Sequence, residues 1–291
     1  MDNKNNTRVW IQAFATVLTN IHISNFFKKT IYKGKLKHVC VPGLNCYSCP
    51  GATASCPIGA FQSVVGSSRF NFSYYIVGMM ILFGVLLGRF ICGFLCPFGW
   101  FQELIHKIPS KKYSTHKFAF LKKLKYIILG VFVIILPTII VNVVGIGKPF
   151  FCQYICPVGV LEGAIPLALA DPEIRLSLGG LFILKSSILI AVVILSVYFY
   201  RPFCKWFCPL GAFYSLFNKV SIYQYTLDHS KCTNCGVCKS VCKMDVDITK
   251  NINDKECIRC GDCKHHCPQN AIQTSSILIT QKKIGGTKDE E

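Results

Sequence analysis

The chain has 291 residues, 52% of them apolar and only 16% charged, which is too greasy for an ordinary soluble protein of that size. It also carries eighteen cysteines and a formal charge of +18. A disulfide-stapled secreted domain is a poor fit, because the cysteines fall in metal-ligand spacings. Nucleic-acid binding is discounted: the basic residues flank apolar segments, as from Lys107 to Lys125, a placement that suits membrane topology and lipid headgroups.

Residues 10–27 are apolar but sprinkled with Thr16, Thr19, Asn20, His22, Ser24 and Asn25, so they are expected either to span a bilayer or to lie in its interface. No signal-peptide cleavage site is expected after them. Three later segments, 72–91, 126–144 and 181–200, each approach the length needed to cross. Residues 157–170 are apolar but too short, and read as an interfacial or re-entrant helix. Lys107, Lys111, Lys112, Lys117, Lys122, Lys123 and Lys125 assign the connection between the second and third spans to the cytoplasm. Parity then sets Cys92, Cys96, Cys204 and Cys208 on the cytoplasmic side, and Cys40 to Cys56 with Cys152 and Cys156 on the outer side. Lys28, Lys29, Lys33, Lys35 and Lys37 oppose that orientation.

One motif recurs. Arg89-Phe-Ile-Cys92-Gly-Phe-Leu-Cys96-Pro97-Phe-Gly99 is matched by Arg201-Pro-Phe-Cys204-Lys-Trp-Phe-Cys208-Pro209-Leu-Gly211, each directly after an apolar run. Shorter versions occur at Cys152-Gln-Tyr-Ile-Cys156-Pro157-Val-Gly159 and at Cys49 to Cys56-Pro57-Ile-Gly59. Proline suits the first turn of a helix, so each Cys-Pro predicts a cysteine at a helix start, where free N–H groups and the dipole favour a thiolate or an anionic cluster. The repeat suggests two halves about a pseudo-twofold axis. Cys92, Cys96, Cys204 and Cys208 would then form one cubane site. For the outer face Cys49, Cys56, Cys152 and Cys156 are the favoured set, with Cys46 as the substitute and leftover thiols free to form a disulfide. A structural zinc site is the blander alternative.

Residues 222–281 carry Cys232-x-x-Cys235-x-x-Cys238-x-x-x-Cys242 and then Cys257-x-x-Cys260-x-x-Cys263-x-x-x-Cys267-Pro268. This is the bacterial two-cluster pattern, in which the fourth cysteine of each run ligates the other cluster. One cluster should use Cys232, Cys235, Cys238 and Cys267, the other Cys257, Cys260, Cys263 and Cys242. Lys243 stands where the first run would normally carry proline.

On the repeated Cys-x-x-x-Cys-Pro motifs and the paired ferredoxin runs, the chain resembles the membrane-bound polyferredoxin family typified by NapH and the C-terminal half of NosR, over about residues 8 to 275. No counterpart of the flavin-bearing outer domain of NosR-like proteins is expected. The resemblance implies electron transfer between the quinone pool or a cytoplasmic donor and a redox partner subunit. The expected architecture is a mostly α polytopic membrane bundle (1–221) with a pseudo-twofold repeat, then a ferredoxin-like α+β domain with two [4Fe-4S] clusters (222–281) and a polar tail (282–291). Two further clusters are expected at the membrane faces, in a multi-pass protein of the cytoplasmic membrane. An alternative is a quinol dehydrogenase subunit with a quinone beside one cluster; Glu103, His106 and Glu162 are then the candidate proton handlers, each more simply a solvated or capping side chain. Another is a regulatory or assembly factor for a second metalloenzyme. Trp100, Phe101, Trp206 and Phe213 read as interface anchors and cluster shielding.

Overall fold

The computed structural model describes residues 3–28, 30–67, 73–143 and 145–276; the expected tail 282–291 and residues 277–281 lie outside them. Helix α1 (Asn3–Thr19) buries Arg8, Gln12 and Ala15, at helical i, i+4, i+7 spacing, and exposes Trp10, Phe14, Val17 and Leu18. It ends at Thr19, before a separate short turn of helix at Ser24–Lys28, so residues 10–27 are an amphipathic helix and a break rather than one apolar rod.

Proline sets where the next elements begin. Cys56, Cys96 and Cys208 hold extended backbone as N-caps, and the proline after each opens α2 (Pro57–Gly66), α4 (Pro97–His106) and a later helix Pro209–Phe217. Between α2 and α4 lies α3 (Tyr74–Leu87), 14 residues closed by Gly88 at φ +54, a left-handed conformation open to glycine. Residues 124–139 form α5, helical throughout but with a π-helical middle (Leu129–Ile135) and Pro137 in its last turn. The apolar helix α6 (Val160–Ala170) follows Cys156, then α7 (Gly180–Tyr198) and α8 (Pro209–Phe217).

Among the described residues α7 is the one helix long and apolar enough to cross a membrane alone. The segments expected at 72–91 and 126–144 are shorter or less regular than their composition suggested. Gly88 turns the chain so that Arg89 is drawn inside, and Pro137 and the π turns interrupt α5. Even so, their outer faces are apolar: Ile127 and Ile139 of α5, Leu82 of α3, and Ile183, Ile190 and Ile194 of α7 are all exposed.

The two halves interlock. Helix α7 packs on α4, the Cys-Pro helix of the other half, and α3 packs reciprocally on α8. After α8, strands β1 (Tyr223–Leu227) and β2 (Ile272–Ser276) pair antiparallel from Tyr223↔Ser276 to Leu227↔Ile272, enclosing the two cysteine runs. Left-handed residues recur at matching places in both runs, Asn234 with Arg259, Gly236 with Gly261, and Asp245 with Asn270, so each run follows the same path around its site.

Candidate metal centres

The four cysteines Cys92, Cys96, Cys204 and Cys208 converge: Cys208 lies in the field of Cys204, Cys92 and Cys96, and Cys96 in that of Cys204 and Cys92. Their assembly is reciprocal. Arg201 donates from Nη1 to the Cys92 carbonyl, and Arg89 from Nη2 to the Cys204 carbonyl at 3.3 Å. The glycine of each Cys-Pro-x-Gly makes this possible. A Cβ at Gly99 would stand 2.9 Å from Arg201 Nη1, and one at Gly211 would meet the Cys204 carbonyl at 3.3 Å and Arg89 Nη2 at 3.5 Å. The Arg, Cys and Gly positions are thus one device, used twice about the pseudo-axis.

Two glutamines complete it. Gln102, six residues past Cys96, donates to Cys204 Sγ at 3.1 Å and accepts from the Phe203 N–H at 3.1 Å. Gln62, six past Cys56, does the same across the other interface, donating to Cys152 Sγ at 3.0 Å and accepting from the Phe151 N–H at 3.0 Å. Sequence reasoning missed both. Their signal was the shared spacing Cys-Pro-x-Gly-x-Phe-Gln at Cys56 and Cys96.

The second Cys-Pro set differs from the favoured one. Cys56, Cys152 and Cys156 share a cavity of about 630 Å³ with Cys46 and Cys40, whereas Cys49 lines a different one. Cys156 lies in the field of Cys152, Cys56 and Cys46, and a Cβ at Gly159 would touch Cys46 Sγ at 3.6 Å. The reason is a tight turn in which the Cys49 N–H donates to the Cys46 carbonyl. It leaves Cys46 toward the cavity and sends Cys49 Sγ toward Asn20, just past the end of α1, 3.6 Å from its Oδ1. Cys46 therefore replaces Cys49 in this group. No disulfide joins any of the eighteen cysteines in this structure.

In the ferredoxin part Cys232, Cys235, Cys238 and Cys267 line one small pocket. Cys263 lies in the field of Cys260, Cys257 and Cys242. The fourth cysteine of each run is thus brought to the other run's group, as the spacing predicts.

The groups fit a polynuclear anionic cluster. Each offers at least four sulfurs, and N–H donors reach several of them: Gly211 to Cys208 and Ala271 to Cys267, both at 3.4 Å, besides the two glutamines. Burial pushes the Cys152 thiol up to about 11 and the Cys96 thiol up to about 12, with Cys56 higher still. Unloaded, these are neutral thiols, and loading must expel protons.

The ferredoxin part is keyed to the repeat. Arg89 Nη1 pairs with Glu256 at 2.7 Å, and the other carboxylate oxygen takes Lys125 Nζ at 2.5 Å. Lys205 reaches Asp245 at 2.9 Å and the Lys243 carbonyl at 2.9 Å. Gly93 leaves room for the Ile258 carbonyl, which a Cβ there would meet at 2.5 Å. Burial alone would raise Glu256; the Arg89 guanidinium and the Lys125 ammonium instead hold it at about 2.

Of the three candidate proton handlers, Glu103 is an ion-pair anchor. It joins Arg8 and Arg201, accepts from Tyr200 and Gln12, and against the effect of burial those guanidiniums hold it at about 2. His106 is tied by Nδ1 to the Ser196 carbonyl at 3.0 Å. Glu162 differs: burial raises it to about 7, and it accepts the Cys46 N–H at 2.7 Å. Trp206, read as an interface anchor and cluster shield, is buried against Phe199 and Phe118.

Comparison with known proteins adds the family. A 4Fe-4S binding domain model matches residues 72–116, 129–165 and 181–222, each stretch holding one Cys-x-x-x-Cys-Pro unit, and a second 4Fe-4S binding domain model matches 250–273. An uncharacterised protein of Methanocaldococcus jannaschii is 33% identical over 183 residues, covering 61% of this chain and 68% of its own. The chain belongs to the NapH/NosR-type family of 4Fe-4S polyferredoxins. Other members are more distant. The methylamine utilization ferredoxin-type protein MauN of Paracoccus denitrificans is 24% identical, over 66% of this chain and 57% of its own. The regulatory protein NosR of Stutzerimonas stutzeri is 24% identical, over 55% of this chain and 21% of its own. No solved structure matches significantly. This polyferredoxin is therefore a mostly helical iron–sulfur electron-transfer protein with a C-terminal ferredoxin-like domain.

Proposed function

We propose that this polyferredoxin is a multi-pass membrane protein that passes electrons between a cytoplasmic donor and an acceptor at or across the membrane, through four sites arranged in series. The 4Fe-4S clusters, when bound, supply one-electron exchange; all else falls to the chain. Cys232, Cys235, Cys238 and Cys267 would hold the entry site, where Cys235 is exposed to a partner. Cys242, Cys257, Cys260 and Cys263 would hold the second, Cys92, Cys96, Cys204 and Cys208 the third, and Cys46, Cys56, Cys152 and Cys156 the fourth.

The observation that carries this reading is the junction between the second and third sites. Arg89 hydrogen-bonds both Glu256 and the Cys204 carbonyl, and Gly93 admits the Ile258 backbone, so the ferredoxin part is locked against the repeat with no solvent layer between. The exposed apolar faces of α3, α5 and α7 support a lipid setting, since contiguous apolar surface of that kind is costly in water.

The test is flow across a sealed vesicle from a reduced donor outside to a trapped acceptor. Cys208→Ser should abolish flow while electron paramagnetic resonance still shows both ferredoxin clusters; undiminished flow would count against the series.

A second reading has its own support. A cavity of about 320 Å³ lined by Trp100, Phe101, Leu161 and Pro166 also holds Glu162 and Cys49, and the buried Trp100 indole N–H has no partner. An apolar slot with one donor and one carboxyl titrating near neutrality suits a quinone headgroup beside the fourth site. Trp100→Phe should then weaken binding of a quinone analogue, measured directly by titration, while the iron content stays unchanged.

A further inference from the structure

The segment Pro42–Cys46 runs between the third and fourth cysteine groups and is pinned at nearly every residue. Tyr214 donates its hydroxyl to the Pro42 carbonyl at 3.0 Å. The Leu44 N–H donates to Cys96 Sγ at 3.4 Å. Asn45 Nδ2 reaches the Thr19 carbonyl and Asn20 Oδ1, each at 3.3 Å, and the Cys46 N–H is held by Glu162 at 2.7 Å. Leu44 is 2% exposed and Asn45 and Tyr214 are fully buried. Gly43 has no alternative, since a Cβ there would stand 2.8 Å from Cys96 Cα and 2.9 Å from the Leu95 carbonyl.

We propose that Pro42–Cys46, with Tyr214 behind it, is a built bridge that joins the Cys92/Cys96/Cys204/Cys208 group to the Cys46/Cys56/Cys152/Cys156 group as one electronically continuous pair. The proposal rests on the four-site reading above and adds the path between its last two members. Chain geometry sets its reach. From Cys96 Sγ through the Leu44 N–H and two residues of backbone to Cys46 Sγ is at most about 15 Å, even with the chain fully extended. A hydrocarbon core of about 30 Å is too wide for one rapid tunnelling step, whereas this separation is not. The two groups therefore do not sit on opposite faces; both lie inside the fold, with one hydrogen bond and a short buried peptide between their sulfurs. Tyr214 occupies the same gap, in the field of Cys92 and Cys96 on one side and Cys56 on the other. The step it serves moves one electron from the reduced third site to the oxidised fourth, with no bond made or broken. The electron is supplied by the ferredoxin sites and drawn off by the terminal acceptor.

The expected signature is magnetic. In the fully reduced protein the third and fourth clusters should show mutual spin–spin broadening in electron paramagnetic resonance. Gly43→Ala, which pushes Leu44 away from Cys96, should slow electron equilibration between the two sites after flash reduction, at unchanged iron content and with the through-space broadening retained. Tyr214→Phe, which keeps the ring and removes the anchor on Pro42, should slow equilibration as well and guards against misfolding of the alanine variant. About sixteen iron atoms per chain without broadening in the wild type, or both variants behaving as wild type, would overturn the bridge. About eight iron atoms per chain would instead overturn the four-site reading, and the bridge with it.

Discussion

Gln102 donates to the sulfur of Cys204 at 3.1 Å, from one half of the repeat into the other. A hydrogen bond to a cluster sulfur stabilises the more negative, reduced state. Gln102→Leu should therefore lower the reduction potential of the Cys92/Cys208 site by some tens of millivolts, taking about 1 kcal/mol for the bond and about 59 mV per tenfold for one electron. Gln62→Leu should shift the signal of the Cys56/Cys152 site and leave this one in place. Redox titration followed by electron paramagnetic resonance separates the two.

The turn at Cys46–Cys49 makes a discriminating pair. Cys46→Ser should cost about four iron atoms and the signal of the Cys56/Cys156 site, because of the pair Cys46 and Cys49 it is Cys46 that lines that cavity. Cys49→Ser should leave iron content and all cluster signals intact. The opposite result would return Cys49 to the site.

Glu256 bridges Arg89 and Lys125 in a buried triad. Glu256→Gln strands two cations and should destabilise the docked ferredoxin part by about 3–5 kcal/mol. Hydrogen exchange over residues 254–259 should rise sharply. Both ferredoxin clusters should remain, since none of their cysteines is touched.

Glu103 gives a pH window. Its folded value, about 2, lies below its ordinary 4.5, so its contribution is fully present above 4.5 and is lost as pH falls toward 2. Hydrogen exchange of α1 should be flat from pH 7 to 5 and rise below that. Glu103→Gln should expose α1 at pH 7 and remove the acid dependence contributed by this carboxyl.

Much of this was legible in the sequence. Proline after cysteine set the helix starts at Cys56, Cys96 and Cys208 because its fixed φ and missing N–H suit only a first turn. The ferredoxin pairing followed from spacing, since both runs take one path with left-handed residues at matching positions. The rest depends on long-range partners. Whether Cys46 or Cys49 faces the cavity is decided by one turn's direction, and Arg89 meets Glu256 across 167 residues, with no local trace of either. Hydropathy also did not show where helices end or bend, which Gly88 and Pro137 decide locally.

Four clusters in series can be counted directly, as iron and acid-labile sulfide per chain in anaerobically purified protein, with electron paramagnetic resonance of the reduced form. The expected result is about sixteen iron atoms per chain and four reducible sites. A value near eight, with only ferredoxin signals, would contradict it and leave the Cys-x-x-x-Cys-Pro repeat as thiol chemistry.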